Sequence, residues 1–383
     1  MFRKTLFWLH LVAALLTGLL IAVMCFTGTA LAFEKELVAW SERDARRVAP
    51  PDAPRLPLAA LQSTLALAHP AVRPGTIIVS SDPTAAVAFV AGRTEAYYLN
   101  PYTAEIRQPA SRATAAFMQT MVTWHRYLGF TGETSRPRAK LLNGIANLTF
   151  CFLALSGLYL WLPRTWSWRA LRPSIWFRQN TSSRARDFNW HNTIGFWSAP
   201  ILIALTLTAL PISFRWGGTL LYTLTGTPLP ASGPQSSGAP PPTATVPAPP
   251  AGAAHVTADQ LLAAAQRTLP TWQTITLRLP APGAAQPASL AVRAHDTWPR
   301  TALTTLQYDP FTGTLLRQDG YADLSAARKA RAWTRYLHTG EALGPLAQFL
   351  AGLASLGGLF LVYTGFALTW RRFFGTNSPP PAA

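Results

Sequence analysis

Four stretches of this chain, residues 6–33, 141–162, 192–214 and 346–370, each hold about twenty or more mostly apolar residues. A helix needs about 20 such residues to cross the hydrocarbon core of a bilayer. Only helices and closed barrels satisfy their own backbone polar groups there. The runs therefore predict a mainly α membrane protein with four transmembrane helices. Just 13% of the 383 residues are charged, against roughly 25% in ordinary soluble domains. Trp8, Trp40, Tyr159, Trp161, Trp190, Trp216 and Trp370 flank the runs, as an aromatic belt does. Pro200 and Pro211 fall inside the third run, where neighbouring groups in a bundle satisfy the carbonyls that proline frees.

Short basic connections set the orientation, because long loops cross regardless of charge. The connection between runs two and three holds Arg164, Arg169, Arg172, Arg178, Arg184 and Arg186, with Asp187 its only acid. Arg3 and Lys4 precede the first run, and Arg371 and Arg372 close the fourth. All three regions, both termini included, are thus expected on the cytoplasmic side of an inner membrane, with the two long connections exported. A cleaved signal peptide is the rival reading of the first run, given Arg3-Lys4 and Ala30-Leu31-Ala32. Its apolar stretch is about twice the usual 7–15 residues of such a leader, so the run is expected to stay as a span. The net charge of +17 is explained by this Arg beside membrane segments. No basic run is interleaved with aromatics, so no nucleic-acid partner is expected. Cys25 and Cys151 both lie inside apolar runs, which fits neither a disulfide framework nor a metal cage.

The chain repeats itself. His10 is followed seventeen residues later by Thr27-Gly28 and twenty-three later by Phe33; His191 is followed at the same offsets by Thr208-Ala209 and Phe214. Gly132-Glu133 and Gly340-Glu341 precede Ser156-Gly157 and Thr364-Gly365 by one common interval. In the exported parts, Asn100-Pro101-Tyr102-Thr103-Ala104 matches Asp309-Pro310-Phe311-Thr312-Gly313, each the turn of a β-hairpin. Helical patterns precede them at 58–68 and 257–269, the second opened by a Thr cap. The expected architecture is two pseudo-symmetric halves related by an axis along the membrane normal. Each half is a span, a small α+β periplasmic module and a span.

The segmentation that follows begins with span one at 1–33, the first module at 34–114 and an interfacial helix and turn at 115–140. Span two is 141–162, a basic cytoplasmic loop 163–189 and span three 190–216. A linker at 217–251 comes next, disordered through its Pro-rich stretch 227–251. The second module is 252–330, span four with its periplasmic approach 331–370, and a cytoplasmic tail 371–383.

Four of the seven histidines, His10, His125, His191 and His338, stand at the ends of the apolar segments and fall into repeat-related pairs. Ionisable groups at such positions are costly and usually functional. For any one of them alone, a hydrogen-bonded interfacial residue is as good a reading. Together, His10 with His191 and His125 with His338 suit two imidazole-clamped porphyrins, one near each membrane face. No C-x-x-C-H is present, so two non-covalent b-type haems are expected, the iron held by those four residues. Arg126 and Arg335 beside the outer pair are candidate propionate contacts, as are Arg3, Lys4 and Arg186 beside the inner one, although interfacial Arg is more often snorkelling. Gly352, Gly357, Gly358 and Gly365 read first as helix-packing positions. Zinc or copper is the competing metal, but no two His are spaced i, i+4 and no carboxylate cluster accompanies them. His69, His255 and His295 read as surface residues. No nucleophile triad, phosphate loop or dinucleotide fingerprint appears. Reducing equivalents would then come from a cytoplasmic partner or the quinone pool.

Several segments resemble the PepSY-associated transmembrane family, whose better understood members are bacterial inner-membrane ferric-siderophore reductases. They are Trp124-His125-Arg126-Tyr127-Leu128, Ser156-Gly157-Leu158-Tyr159-Leu160-Trp161, Trp190-His191-Asn192-Thr193-Ile194-Gly195-Phe196-Trp197 and Leu337-His338-Thr339-Gly340 running to Thr364-Gly365. The resemblance covers nearly the whole chain apart from the Pro-rich stretch. It implies four spans, histidine-ligated haems and electron passage from the cytoplasmic side to a periplasmic ferric siderophore, releasing Fe(II) during iron uptake. One departure is visible: His125 lies eight residues before Glu133, whereas His338 lies three before Glu341. Arg93, Arg107, Arg293 and Arg300, with Tyr97, Tyr98, Tyr102 and Phe311, are candidates to cradle the chelate. Two alternatives stand beside this oxidoreductase reading. One is a non-redox, membrane-anchored module binding peptide or protease; the other is a haem relay to a periplasmic protein.

Overall fold

The computed structural model describes residues 1–374 except 51, 93–94, 164, 180–181, 231–242, 249–251 and 282–283. Arg93, Arg164, most of the Pro-rich stretch and the end of the tail therefore lie outside the described residues. The chain divides into two units, Met1–Glu34 with Ala116–Ser237 and Ala330–Ala383, and Lys35–Ala115 with Gly238–Lys329.

In chain order the first half runs through helices α1 (Phe2–Leu31), α2 (Glu34–Ser41), α3 (Arg43–Arg46) and α4 (Leu58–Ala68). Strands β1 (Thr76–Ser80), β2 (Val87–Ala91), β3 (Glu95–Leu99) and β4 (Ile106–Arg107) follow, then α5 (Ala113–Tyr127), α6 (Ser135–Trp161) and α7 (Trp168–Ile175). Next come α8 (Ser183–Ser213), α9 (Arg215–Leu224) and α10 (Ala258–Thr268), then β5 (Trp272–Arg278), β6 (Ala288–Ala294), β7 (Thr304–Tyr308) and β8 (Leu315–Asp319). Helix α11 (Ala326–His338) and α12 (Pro345–Phe373) close the chain.

Helices α1, α6, α8 and α12 are each long and apolar enough to cross a membrane. Each begins before its apolar run, α8 nine residues before Asn192, and all but α12 stop one or two residues short of the run's far end. Both prolines sit inside α8 without ending it. Where the four helices meet, Ile21, Met24, Cys25, Ala146, Phe150, Leu202 and Ala354 form a buried apolar cluster. The residue expected to open the linker, Gly217, instead lies in α9. That helix buries Gly217, Gly218 and Tyr222, and a Cβ on Gly217 would lie 2.8 Å from the Leu210 carbonyl oxygen, so only glycine lets α9 fold back this closely.

In the other unit the expected two modules form one antiparallel sheet of eight strands, ordered β4-β3-β2-β1-β5-β6-β7-β8. The strand order is the same read outward from β1 and from β5. The join runs from Thr76↔Arg278 to Ser80↔Thr274, and it removes two open sheet edges that would otherwise present unpaired backbone. Helices α4 and α10 pack on one face through Leu58, Leu61, Leu65, Leu261 and Ala265, against Phe89, Leu277 and Leu290 among others. Thr257 and Gln260 form a capping box on α10. Asp259 in that first turn also caps the neighbouring helix, accepting from the backbone N–H of Leu58 at 2.6 Å and of Ala59 at 3.0 Å. Both hairpin turns match the expectation. Asn100 Oδ1 accepts from Tyr102 N at 2.9 Å, and Asp309 Oδ1 from Phe311 N at 2.8 Å. Ala104 takes φ +59° where its counterpart Gly313 takes +71°.

Candidate functional site

In the helical unit, four hydrogen bonds reach across helices to hold the four histidines, and every one uses Nδ1. His10 of α1 bonds Ser156 Oγ of α6 at 2.8 Å, and His191 of α8 bonds Thr364 Oγ1 of α12 at 2.8 Å. His125 of α5 bonds Thr27 Oγ1 of α1 at 2.9 Å, and His338 of α11 bonds the Leu205 carbonyl of α8 at 2.9 Å.

These partners define the tautomer. A carbonyl only accepts, so His338 Nδ1 carries the proton. The three hydroxyls commit their own hydrogens to helix carbonyls one turn back. Thr27 Oγ1 donates to Val23 O at 2.6 Å, Thr364 Oγ1 to Phe360 O at 2.8 Å and Ser156 Oγ to Leu153 O at 3.3 Å. Each hydroxyl therefore accepts from its imidazole. All four rings are Nδ1–H tautomers, with the lone pair on Nε2. This is the arrangement by which metal-binding histidines are oriented, one nitrogen anchored and the other presented.

The Ser/Thr-Gly pairs visible in the repeat have a division of labour. The hydroxyl anchors Nδ1 and the next residue lies against the ring edge, where only Gly157 is close enough that a Cβ would crowd the imidazole. A Cβ on Gly157 would stand 3.3 Å from His10 Cε1, on Gly28 3.5 Å from His125 Cε1 and on Gly365 3.7 Å from His191 Cε1. The fourth counterpart, Thr208-Ala209, has no such role, and His338 uses the Leu205 carbonyl instead. The Thr208 hydroxyl donates to that same carbonyl at 3.0 Å, so it meets the oxygen that holds the ring and not the ring itself. Of the other glycines singled out, Gly352 packs against Ala32 and Gly357 against Ser198, as helix-packing positions do, while Gly358 and Gly365 line a cavity.

The structure brings His125 and His338 together with ring centroids 6.2 Å apart. Two metal–nitrogen bonds of about 2 Å plus the half-width of each ring place trans imidazoles at about this separation. Their unequal spacing from the two Gly-Glu pairs is absorbed at the ends of the helices. After α5 the chain turns through Leu128 at φ +53° and Gly129 at +84°, while after α11 a single Gly340 at +74° suffices.

His10 and His191 line one cavity of about 1260 Å³, larger than the ~300–1,000 Å³ usual for small-molecule pockets. Gly18, Gly157, Gly195, Gly358 and Gly365 keep its walls flat, and Arg3, Lys4, Arg184 and Arg372 also line it. Thr27, the anchor of His125, is seventeen residues along α1 from His10, about 25 Å at 1.5 Å per residue. The two pairs thus lie near opposite ends of the helical unit, with the buried apolar cluster between them.

Some basic residues expected near the pairs have other work. Arg3 donates to the Leu160 carbonyl at 2.5 Å and the Leu162 carbonyl at 3.1 Å, capping α6. Arg186 and Arg371 both pair with Asp187, which is fully buried. Arg126 and Arg335 are exposed, stacked over Tyr127 at 5.5 Å and Tyr336 at 5.7 Å. Sequence reasoning missed Arg184 and Arg372 at the cavity, and Asn189. The Asn189 amide donates to the Pro173 and Trp176 carbonyls at 2.7 and 3.0 Å, and its oxygen accepts from Arg178 N at 2.9 Å. With Trp197 Nε1 on the Ile175 carbonyl at 3.0 Å, these bonds fasten the end of α7 to α8. An Asn before Trp190-His191 carries no periodic signal that could have disclosed this.

The chelate-cradling candidates of the sheet fare differently. Tyr97 and Tyr98 are each 6% exposed and belong to the interior. The Tyr97 hydroxyl bonds Glu95 and the Tyr98 hydroxyl donates to Glu42 at 2.9 Å. Burial, against the opposing pull of Arg46, pushes the Tyr98 hydroxyl up to about 12. Arg107 is held by the Asp44 carbonyl at 2.7 Å, and the Tyr102 hydroxyl donates to the Pro83 carbonyl at 3.0 Å. Arg293 and Arg300 are exposed. His255, read as a surface residue, packs edge-on to Phe311 at 4.8 Å with its Nε2 buried.

Among the described residues no three His, Cys, Asp or Glu are gathered in one place; the histidines come as pairs. The anchored histidines fit a porphyrin held by each pair, the outer pair by its 6.2 Å ring separation and the inner pair by the glycine-walled cavity with basic residues along it. Compared with known families, residues 7–372 match the model of the PepSY-associated TM region. No curated protein matches the chain.

Proposed function

This chain belongs to the PepSY-associated TM family of membrane proteins, and on that premise we propose that it is a dihaem oxidoreductase of the inner membrane. It passes electrons outward to Fe(III) held by a siderophore, and hydroxamate or catecholate ligands, which hold Fe(II) far less well, then release the metal. The observation that carries this reading is the common state of the four histidines, each fixed through Nδ1 with Nε2 left to coordinate. When bound, b-type haem would supply reversible one-electron exchange, and its holding by a pair of histidines would favour electron transfer over oxygen chemistry.

The residues divide the work. His10 and His191 hold the inner site, and His125 and His338 the outer. Ser156, Thr364, Thr27 and the Leu205 carbonyl orient the rings. Gly157 leaves the His10 ring edge unobstructed, and Lys4, Arg184 and Arg372 would meet the negative charge of propionates at the inner site. Ile21, Phe150 and Leu202 exclude water between the sites. The basic connections support a cytoplasmic side for both termini and the inner site, where a soluble donor or a membrane quinol would deliver electrons. The eight-stranded sheet is then periplasmic, on the side of the ferric siderophore.

Purified full-length protein, expressed with ample haem supply, tests this directly. Its oxidised and dithionite-reduced spectra should show a b-type Soret band, with pyridine haemochrome near two per chain. His10→Ala and His338→Ala should each remove one. Colourless protein that tolerates all four His→Ala changes would overturn the proposal in favour of a peptide-binding module. Failure of the dihaem protein to reduce ferric siderophore would point instead to a periplasmic protein as acceptor.

A further inference from the structure

Among the described residues of the helical unit, two half-buried side chains have buried polar atoms without a partner, Asn143 against His125 and Arg331 on the helix that ends at His338. Asn143 donates through Nδ2 to the His125 carbonyl at 3.0 Å, which sets its amide orientation and leaves a buried, unpaired Oδ1. Arg331 has both Nε and Nη1 buried and unpartnered. It is the only cation among the described residues in that position.

Arg331 lies on α11 seven residues before His338, two turns or about 10 Å along the axis, on the same helical face. Thr334, between them in that row, turns its hydroxyl back to the Arg331 carbonyl at 2.8 Å and so supplies nothing to the guanidinium. Arg335, on the neighbouring row, is exposed. The buried Tyr222 of α9 is the electrostatic neighbour of Arg331, and burial holds the guanidinium below its ordinary value without bringing it near neutrality.

The guanidinium stays charged, and each of its two edges, Nε with Nη2 and Nη1 with Nη2, matches a carboxylate, so one carboxylate would meet one of the two orphaned nitrogens. Leaving such donors dry and unpaired is among the costlier arrangements in a protein. Arg331 thus presents orphaned donors two helical turns from His338, within the reach of a carboxylate-bearing group clamped between His125 and His338. We propose that Arg331 is the anchor for a propionate carboxylate of the haem held by His125 and His338. The inference rests on the dihaem reading and moves the propionate contact of that site from Arg126 and Arg335 to Arg331.

The experiment uses full-length haem-loaded protein and the variants Arg331→Gln and Arg331→Lys. It reads haem per chain, the rate of haem transfer to an apoprotein acceptor and the midpoint potential of each component in a redox titration. In R331Q the His125–His338 component should lose haem roughly tenfold faster or more, the consequence of one lost charge-assisted contact. Its potential should fall, because an uncompensated propionate favours the ferric state. The His10–His191 component should be unchanged and serves as the control for folding. R331K, which keeps the charge but not the planar fork, should restore the potential more fully than the retention. Loading both proteins with haem dimethyl ester should abolish the difference between wild type and R331Q.

Unchanged release and potential in R331Q would overturn the proposal, as would a difference that survives esterification. An effect of R335Q as large as that of R331Q would return the role to Arg335 and overturn it too. If R331Q loses both haems, R331K decides: selective loosening of one component supports the anchor, and equal loosening of both refutes it. Wild-type protein without haem would sink the dihaem reading and the anchor with it, whereas two stable haems in R331Q would sink the anchor alone.

Discussion

Replacing Thr364 by valine asks whether the hydroxyl anchors do what their geometry implies. Thr364 is 0% exposed, and Val reproduces its shape, so the substitution removes an acceptor while leaving the packing nearly intact. In the native chain Thr364 Oγ1 gives its hydrogen to the Phe360 carbonyl at 2.8 Å and receives the His191 proton at 2.8 Å. With valine there, His191 Nδ1–H either stays dry and unpaired, at about 1–3 kcal/mol, or the proton moves to Nε2, the nitrogen meant for coordination. Either outcome weakens the site. Loss of one such orienting partner typically lowers affinity at a metal centre about 10–100-fold, which is about 1.4–2.8 kcal/mol at tenfold per 1.4 kcal/mol. The two estimates agree, so the hydroxyl alone accounts for the expected loss. A spectral haem titration of stripped protein should show one weakened component in Thr364→Val, and Thr364→Ser should recover most of it. In Thr27→Val the other component should weaken instead. Thr364→Val protein that binds both haems with wild-type affinity would refute the tautomer argument.

The sheet unit offers independent tests. Asp259→Ala removes the carboxylate that accepts from Leu58 N and Ala59 N; it should lower stability by about 0.5–2 kcal/mol in denaturant titrations read from the sheet unit. Ala104→Gly should stabilise by up to about 1 kcal/mol, because the left-handed backbone at φ +59° costs a residue with a Cβ more than glycine's extra entropy does. The Asp82 carboxyl is held below its ordinary value, first by the Thr84 backbone N–H and then by the Thr84 hydroxyl. A depressed folded-state value gives stability that is present above the unfolded carboxylate range and is lost as pH falls through the lower folded one. Asp82→Asn should therefore flatten the acid limb of the melting-temperature profile below about pH 4 and lower the plateau above it, and an unaltered acid limb would count against this.

What sequence inspection reached, and where it stopped, follows from how far each interaction reaches along the chain. The four histidines stood out because a titratable ring is rare at the end of an apolar run, and the spans because lipid allows so few backbone solutions. The Ser/Thr-Gly pairs were visible as repeat offsets, but their job was not, since anchoring Nδ1 is a contact between residues such as Thr27 and His125, ninety-eight positions apart. Tyr97 and Tyr98 looked like neighbours on a strand with one face open. Both are buried because the α4–α10 layer encloses Tyr97 while Glu42 and Arg46 cover Tyr98. Two separate modules were expected because each hairpin is local. Their union through β1 and β5 is a pairing of residues some two hundred positions apart.

The same distinction applies at the candidate outer site. Hydropathy alone requires four helices, and the internal repeat alone requires that the histidines be considered in pairs. Nothing local separates Arg331 from Arg335, four residues away on one helix, since the two have identical chemistry and similar surroundings in the chain. Only packing leaves two nitrogens of one guanidinium dry while the other residue is exposed, because burial is a property of the neighbours that tertiary folding brings, and the cost of an unmet donor exists only once water has been excluded.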